Sequence, residues 1–378
     1  MKEEIIEKFL SKSSKFNYYK DNYLKFKEDY LELKTKSNEL NQENKDLTQE
    51  NNNLKKLLKE AQNEKNAIVN IRQNEKNAMS FCNWNYADLY YQDDFDEIFQ
   101  KMLKDLPPKS KRNFKLIFIR ALTAVCMNQK TLFSNEELEE QKRFTEFKIN
   151  QTSKNKIGEF NVVDGDYNLH SFIDNGLTDE DKEFLKDKDI IDAGAYIGDS
   201  TLPLSKITKA NVYGFEPFTE SYNKLKQNIE LNNIKNIVPV NASLSDVNGE
   251  ISLYLSGDNH QGITNDSTLS QYDKELVVQS RTIDSYVEEN NLNVGFIKVD
   301  VEGAEQDLLK GAINTIRTQK PILFLSIYHK PDDFFTIKPW IESLDLGYEF
   351  KINKEQPWTF IADTILECRP KINHIKRQ

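Results

Sequence analysis

Residues 190–200 read Ile190-Ile191-Asp192-Ala193-Gly194-Ala195-Tyr196-Ile197-Gly198-Asp199-Ser200. An apolar run that ends in an acid and enters a glycine loop predicts a buried strand, a tight turn and a helix. Gly194 and Gly198 would let the backbone come close to a ligand. The stretch therefore predicts the first strand–loop–helix unit of a nucleotide-binding α/β sheet.

A second apolar strand ends in an acid, in the run Val212-Tyr213-Gly214-Phe215-Glu216-Pro217. An acid at this position typically accepts hydrogen bonds from the hydroxyls of a ribose. Sites for NAD share this feature, so Glu216 alone does not identify the ligand. The simplest alternative is a generic strand–turn–helix unit with an acid that caps the helix.

Asp192, two residues before the first glycine, indicates which charge the ligand carries. Dinucleotide sites bring glycines and a helix N-terminus against a pyrophosphate, and an acid here would repel that group. Asp192 instead favours a ligand with an ammonium group. S-adenosylmethionine (SAM) carries both an ammonium group and a ribose. An NAD-dependent oxidoreductase is disfavoured because the loop lacks GxGxxG spacing.

A third strand–helix unit, Gly295-Phe296-Ile297-Lys298-Val299-Asp300-Val301-Glu302-Gly303-Ala304-Glu305, carries charges in an apolar setting. Lys298, Asp300 and Glu302 alternate, so a strand would turn them to one face. Charges in such a strand are costly unless they are paired or functional. Since pockets of open α/β sheets lie at the carboxyl ends of strands, we predict that Asp300 and Glu302 reach the pocket.

These runs resemble the FkbM family of SAM-dependent methyltransferases, over about residues 157–365. The stretch 241–249, Thr282-Ile283-Asp284 and the strand ending at His329 belong to the resemblance. Tyr196 stands where Asn is frequent, and Ser243 where Ala is frequent on the adenine side. The resemblance implies methyl transfer to a hydroxyl of a sugar or secondary metabolite. The cofactor-binding residues it implies are Asp192, Gly194, Ala195, Tyr196, Gly198, Ser200, Glu216, Asn241, Ser243 and Asp300.

Methylation of a hydroxyl needs a base that takes its proton. The candidates are Asp300, Glu302 and His329, which follows the apolar strand 322–328. His329 could equally be a hydrogen-bonded residue that only shapes the pocket. His260 lies in a polar link, residues 256–271, that is long enough to be a lid, although a solvated loop is the plainer interpretation. Carboxylates can ligate divalent metals, but no spacing demands one, and we expect none.

Apolar and amphipathic segments alternate over residues 157–378, which predicts a Rossmann-like α/β domain. We expect a mostly parallel sheet with helices on both faces, an antiparallel insertion and two late strands. The predicted strands are 189–193, 211–215, 236–240, 251–255, 275–281, 295–300, 321–328, 347–352 and 358–365. The predicted helices are 200–208, 219–231, 303–317 and 335–345.

The chain before this domain is free of glycine and is read as helical. Leu33, Leu40, Leu47 and Leu54 recur every seven residues and predict a parallel coiled-coil dimer within residues 1–80. A solitary, partly disordered helix and a partner helix from another protein, such as one of glycan biosynthesis, remain alternatives. Residues 81–156 are predicted to form a helical region whose aromatic side chains are core rather than a sugar-stacking surface.

Composition limits the function classes. The formal net charge is −10, and no basic patch interleaves with aromatic residues, so a nucleic-acid partner is not expected. The three cysteines show no zinc-site spacing, and no apolar run suits a signal peptide or a membrane span. We therefore expect a cytoplasmic O-methyltransferase acting on a sugar, glycan or glycan precursor. The alternative is a coiled-coil scaffold whose Rossmann-like domain binds a nucleotide without catalysis.

Overall fold

The computed structural model describes residues 94–127, 139, 152–153, 155–163, 176–255, 263–264, 274–354 and 363–371. The predicted coiled coil over residues 1–80 lies outside these residues, as do His260 and most of the polar link around it. Among the helices within these ranges, none has the length and apolar character needed to cross a bilayer.

The strands fall into one large sheet and two small ones. In chain order they are β1 (Thr152–Ser153), β2 (Lys156–Ile157), β3 (Phe160–Asn161), β4 (Asp189–Ala193), β5 (Val212–Phe215), β6 (Ile237–Val240), β7 (Ser243–Leu244), β8 (Gly249–Leu255), β9 (Ile263–Thr264), β10 (Lys274–Arg281), β11 (Val294–Val299), β12 (Ile322–Ser326), β13 (Tyr348–Lys354) and β14 (Thr364–Pro370).

Three helices precede the large sheet along the chain, and the others lie between strands, among the residues that the structure describes. In chain order they are α1 (Phe95–Leu103), α2 (Pro108–Met127), α3 (Asp179–Leu185), α4 (Thr201–Leu204), α5 (Thr219–Leu231), α6 (Ile283–Asn290), α7 (Glu305–Lys310), α8 (Ile313–Gln319) and α9 (Pro331–Ser343).

The large sheet has seven strands in the order β13-β14-β12-β11-β4-β5-β6. From β12 to β6 the neighbours are parallel, whereas β14 and β13 complete the sheet antiparallel. Ile191 and Ile297 contribute to one buried apolar cluster, and Ile190 and Phe296 contribute to another. Because side chains alternate along a strand, both faces of the sheet are covered. The predicted Rossmann-like sheet is confirmed.

The predicted antiparallel insertion is also present. Strands β8 and β10 pair antiparallel within a second sheet, ordered β7-β10-β8-β9. Two predicted boundaries near the ends of the domain differ from the structure. Residues 152–157 contain strands β1 and β2, so the region predicted to be helical as far as residue 156 ends in a small sheet. The last strand begins at Thr364 rather than near residue 358.

The helix predicted over 303–317 is split into α7 and α8. A Cβ on Gly311 would lie 2.1 Å from the backbone oxygen of Ser245, so this turn packs directly against another segment. The backbone oxygen of Gly311 accepts a hydrogen bond from the amide of Asp284. The Asp284 carboxylate in turn accepts bonds from the amides of Asn314 and Thr315 at 2.9 and 2.7 Å, which begins a new helix.

Helices α1 and α2 pack on the large domain through aromatic rings. The ring of Phe114 stacks on that of Phe334 in α9, with centroids 4.9 Å apart, and Phe95 meets Phe335 edge-on at 5.8 Å. The prediction that these aromatics form core is confirmed for the rings that the structure describes. Helix α2 also covers the edge strand β13, since Ser110 accepts a bond from the amide of Ile352 at 2.9 Å.

Phe114→Ala should therefore destabilise the whole domain. The side chain is fully buried, and its removal leaves a cavity between α1, α2 and α9, which costs about 3–5 kcal/mol. Urea unfolding would measure the loss. Leu231→Ala on α5, where the residue is 49% exposed, is the control and should change the free energy of unfolding far less. Equal effects of the two substitutions would mean that α2 is not part of the cooperative fold.

Candidate active site

The glycine loop after β4 lies against the end of β11. Gly194 has a φ of +83°, and a Cβ at this position would lie 1.9 Å from the backbone oxygen of Asp300. Tyr196 also adopts a left-handed conformation, with a φ of +47°, which Asn adopts more readily than Tyr does. The loop predicted from sequence is present, and it brings the motif of β4 next to that of β11.

A buried ion pair between Asp192 and Lys298 fixes the position of this loop. The carboxylate of Asp192 is fully buried and accepts hydrogen bonds from the hydroxyls of Ser200 and Thr201 at 2.7 and 2.6 Å. Its other oxygen lies 3.2 Å from Nζ of Lys298. Within the protein, Asp192 therefore positions the loop, and the expected contact with a ligand ammonium stays a prediction. Ser200, also predicted to bind the cofactor, is likewise fully buried.

Lys298 completes the attachment of the loop. Its Nζ donates a hydrogen bond to the backbone oxygen of Gly194 at 3.3 Å. Burial alone would lower the pKa of Lys298, but the carboxylates of Asp192, Asp300 and Asp199 hold that pKa above its ordinary value. Lys298 is therefore a cation at neutral pH, fixed between strands β4 and β11.

Glu216 follows β5 and meets the same loop. Its two carboxylate oxygens accept hydrogen bonds from the amides of Tyr196 and Phe218 at 2.9 and 2.8 Å. Burial raises the pKa of Glu216 to about 8, although these two hydrogen bonds oppose the shift. Each oxygen can accept a further bond, so the carboxylate can bind ribose hydroxyls as well as the loop.

The remaining predicted cofactor residues lie around these elements. Ala195 is buried, and its amide donates to the backbone oxygen of Phe215. Gly198 has a φ of +98° and packs on α5, where Leu225 would lie 2.8 Å from an added Cβ. Asn241 is exposed after β6 and donates to the backbone oxygen of Glu216 at 2.8 Å. Ser243 is buried in β7, in the second sheet.

The three predicted base candidates come together beside the loop. His329 is buried, with 6% of its side chain exposed, and its Nε2 lies 3.7 Å from Oδ1 of Asp300 and 3.5 Å from Oε2 of Glu302. Its Nδ1 is 2.8 Å from Oε1 of Glu305, a fully buried carboxylate. Because a carboxylate only accepts, Nδ1 carries a proton that it donates to Glu305.

Asp300 and Glu302 reach this cluster differently from the sequence-based expectation. Strand β11 ends at Val299, and Glu302 has a left-handed φ of +55°, so Glu302 belongs to a turn rather than to the face of a strand. Asp300 accepts bonds from the hydroxyls of Ser326 and Tyr328 at 2.7 and 3.2 Å. The turn, not strand alternation, brings Glu302 to His329.

Within the cluster, the pKa values of His329 and Glu302 are raised and that of Asp300 is lowered. Burial alone would lower the pKa of His329, but Glu305, Glu302 and Asp300 raise it to about 10. Burial would raise the pKa of Asp300, yet Lys298 and His329 hold it below the ordinary value. Burial raises the pKa of Glu302 to about 8, against the opposing effect of His329. At neutral pH the imidazole is therefore protonated, and Asp300 is a weak base.

Several residues of the site were not assigned a role from sequence. Thr201 binds Asp192, Glu305 orients His329, and Ser326 and Tyr328 orient Asp300. Two signals could have found them. Glu305 stands within the charged run that begins at Lys298, and Ser326 and Tyr328 alternate at the polar end of an otherwise apolar strand.

The sheet and the glycine loop are those of a Rossmann-like α/β domain. A family model described as the methyltransferase FkbM domain matches residues 192–350. This range contains the loop, Glu216, the charged run and His329. Residues 192–350 thus match the FkbM methyltransferase domain, in agreement with the resemblance seen in the sequence.

Two proteins with similar sequences are named as methyltransferases. Methyltransferase 1 of Beauveria bassiana is 28% identical over 180 residues, which covers 42% of this chain and 72% of that protein. Hexuronic acid methyltransferase AglP of Haloferax volcanii is 30% identical over 138 residues, 36% of this chain and 55% of AglP. A crystal structure of a methyltransferase FkbM from Methylobacillus flagellatus aligns with a TM-score of 0.46 at 20% identity, covering 72% of this chain and 58% of that one. The chain thus spans little more than half the length of AglP.

Gly194→Ala should disrupt the junction between the loop and β11. The added Cβ would meet the Asp300 backbone at 1.9 Å, whereas Gly347, with a similar φ of +75°, has nothing within 4 Å of an added Cβ. Gly347→Ala thus controls for backbone strain, about 1–2 kcal/mol. We expect Gly194→Ala to destabilise the domain more than this control in urea unfolding. Equal losses would mean that the loop can move away from β11 without cost.

The raised pKa of Glu216 predicts a pH-dependent stability. Between the ordinary value of 4.5 and about 8 the unfolded chain releases this proton and the folded chain keeps it. Folding then binds a proton, so this group's contribution to stability falls as pH rises through that window. We expect a shallower decline of unfolding free energy in Glu216→Gln than in wild type between about pH 5 and about pH 8. Glu230→Gln, an exposed control, should keep the wild-type slope; an unchanged slope in Glu216→Gln would contradict the assignment.

Proposed function

We propose that the protein transfers a methyl group from SAM to a hydroxyl oxygen of a sugar, glycan or glycan precursor. The observation that carries the proposal is the junction at the carboxyl ends of β4, β5 and β11. There the glycine loop and Glu216 lie beside a cluster of potential proton acceptors. Such an edge is where open α/β sheets bind their ligands.

The residues present fit SAM. The loop after β4 turns at Gly194 and Gly198, which both adopt left-handed conformations that favour glycine. Glu216 has acceptor capacity left for two ribose hydroxyls, and Asn241 braces the turn that carries it. Asp300, with 26% of its side chain exposed beside the loop, is an acceptor for the ammonium group. SAM supplies an already activated methyl group.

The chain's own task is then to position the acceptor and to receive its proton. Glu302 is the strongest candidate base. Its side chain is 36% exposed, so an acceptor hydroxyl can reach it. His329 is committed through Nδ1 to Glu305, and Asp300 already accepts two hydroxyls.

A sugar acceptor is supported by the similarity to AglP, which is named as a hexuronic acid methyltransferase. The matched region includes a little over a third of this chain, so the acceptor of this protein is a proposal of class only. An uncharged sugar and a uronic acid both belong in the first panel of acceptors. The predicted coiled coil would add a self-associating or partner-binding segment to this domain.

The proposal is tested first by titrating the full chain with SAM in a calorimeter, with NAD as the control ligand. SAM should bind and NAD should not. Glu216→Gln should weaken SAM binding by about tenfold or more, because one acceptor oxygen is replaced by a donor. Binding of NAD instead would point to an oxidoreductase. Binding of neither, with no turnover, would leave the scaffold as the better account.

Transfer is tested with labelled SAM and a panel of uronic acid glycosides, neutral oligosaccharides and nucleotide sugars. With an active acceptor, Glu302→Gln should lower turnover by about 10²-fold or more and leave SAM affinity nearly unchanged. Glu349→Gln on the exposed side of β13 is the matched control and should keep full activity. Unchanged turnover in Glu302→Gln would exclude Glu302 as the base.

A further inference from the structure

His329 presents a buried ring nitrogen that has no hydrogen-bond partner. Its Nε2 is inaccessible to solvent and makes no hydrogen bond, although two carboxylate oxygens lie 3.5 and 3.7 Å away. An orphaned polar atom in a buried position costs free energy, about 1–3 kcal/mol. Because this atom lies between the carboxylates of Asp300 and Glu302, the fitting ligand is one that the imidazole and both carboxylates can bind.

The other ring nitrogen is fixed in the way that metal-binding histidines usually are. Nδ1 donates to Oε1 of Glu305 at 2.8 Å, and the same oxygen accepts the amide of Val301 at 3.1 Å. A carboxylate on the far nitrogen orients the ring and leaves Nε2 as the ligand atom. Glu305 thus serves as an outer-shell residue that directs Nε2 toward Asp300 and Glu302.

The carboxylate opposite Nε2 is braced in the same manner. Asp300 accepts the hydroxyls of Ser326 and Tyr328, so its orientation is set independently of His329. One ligand atom from each of Asp300, Glu305 and His329 lies within 4.8 Å of the others. Glu302 is not in that set, but its Oε2 lies 3.5 Å from Nε2, and Oδ1 of Asp300 lies 3.7 Å from the same nitrogen, separations that suit ligands around one small ion.

The charges of the cluster point to a cation. Asp300, Glu302 and Glu305 all face His329, so even a protonated imidazole leaves an excess of negative charge. Lys298 also acts on Asp300, but its ammonium group is paired with Asp192 at 3.2 Å. A divalent ion would balance the excess and would replace the proton on Nε2.

We propose that His329 Nε2, Asp300 and Glu302 bind a divalent cation at the acceptor side of the methyl-transfer site. The donors are one imidazole and two carboxylates, without a thiolate, a set that suits Mn²⁺ or Mg²⁺. This departs from the sequence-based expectation of no metal, because that expectation considered only spacing along the chain. Spacing could not show that the turn at Glu302 brings its carboxylate to His329.

The cation's role rests on the proposed function. A cation at this position would take the acceptor hydroxyl as a further ligand and lower its pKa. The proton would then pass to the second oxygen of Glu302, while the first remains on the ion. The site is therefore expected to select acceptors whose hydroxyl can reach the ion directly.

The test uses the full chain, stripped of metal with EDTA and titrated with Mn²⁺ under electron paramagnetic resonance, which measures free Mn²⁺. Wild type should bind one equivalent saturably. His329→Gln and Asp300→Asn should each weaken that binding by at least about tenfold, since each removes one charged or lone-pair donor. Glu349→Gln, a carboxylate on an exposed strand position, should bind as wild type does.

The controls keep the outcome decisive. Circular dichroism checks that each variant is folded, and Glu302→Gln, in a partly exposed turn, replaces the other two if they fail to fold. Absence of saturable Mn²⁺ binding, with or without SAM, overturns the proposal, as does binding that the cluster variants leave unchanged. SAM titration of the stripped protein separates the two proposals. SAM binding without Mn²⁺ binding retains the methyltransferase and discards the cation.

Discussion

The buried pair between Lys298 and Asp192 is the interaction on which the rest of the site depends. It joins β11 to β4 just below the glycine loop, and Lys298 also binds the backbone of Gly194. Removing one member of such a pair leaves an uncompensated buried charge, which is strongly destabilising. The hydroxyls of Ser200 and Thr201 donate to the other oxygen of Asp192 and fix the start of α4. The pair therefore sets the loop's position before any ligand is present.

The charges around His329 are not balanced in this way. Around His329 the carboxylates outnumber the cations, and the cluster keeps unsatisfied buried atoms on both His329 and Glu305. A structural ion network would be expected to satisfy those atoms. The carboxylate of Asp192 differs, because it pairs with Lys298 at 3.2 Å and accepts hydrogen bonds from two hydroxyls. Asp192 and Lys298 hold the loop, whereas the excess of carboxylates around His329 agrees with the cation proposed above.

Helices α1 and α2 extend this domain toward the N-terminus. Phe114 stacks on Phe334, and Ser110 binds the edge strand at Ile352, so a part of the chain before the family-matched region belongs to the same packed core. Helix α9, which receives the aromatic rings, begins two residues after His329. The helices that cover the sheet edge thus support the end of the chain segment that carries the imidazole.

The sequence alone determined the parallel strands of the large sheet, the glycine loop and the acids at the strand ends, because these depend on local periodicity and on which residues tolerate a left-handed turn. It also placed Asp300, Glu302 and His329 at one edge, since parallel strands end together. It could not show that Ser200, Thr201 and Lys298 hold the Asp192 carboxylate, because these contacts form only when separate elements pack together. The contact between Glu302 and His329 was likewise decided only by the tertiary structure, through a turn whose left-handed residue has no side-chain signature in the sequence.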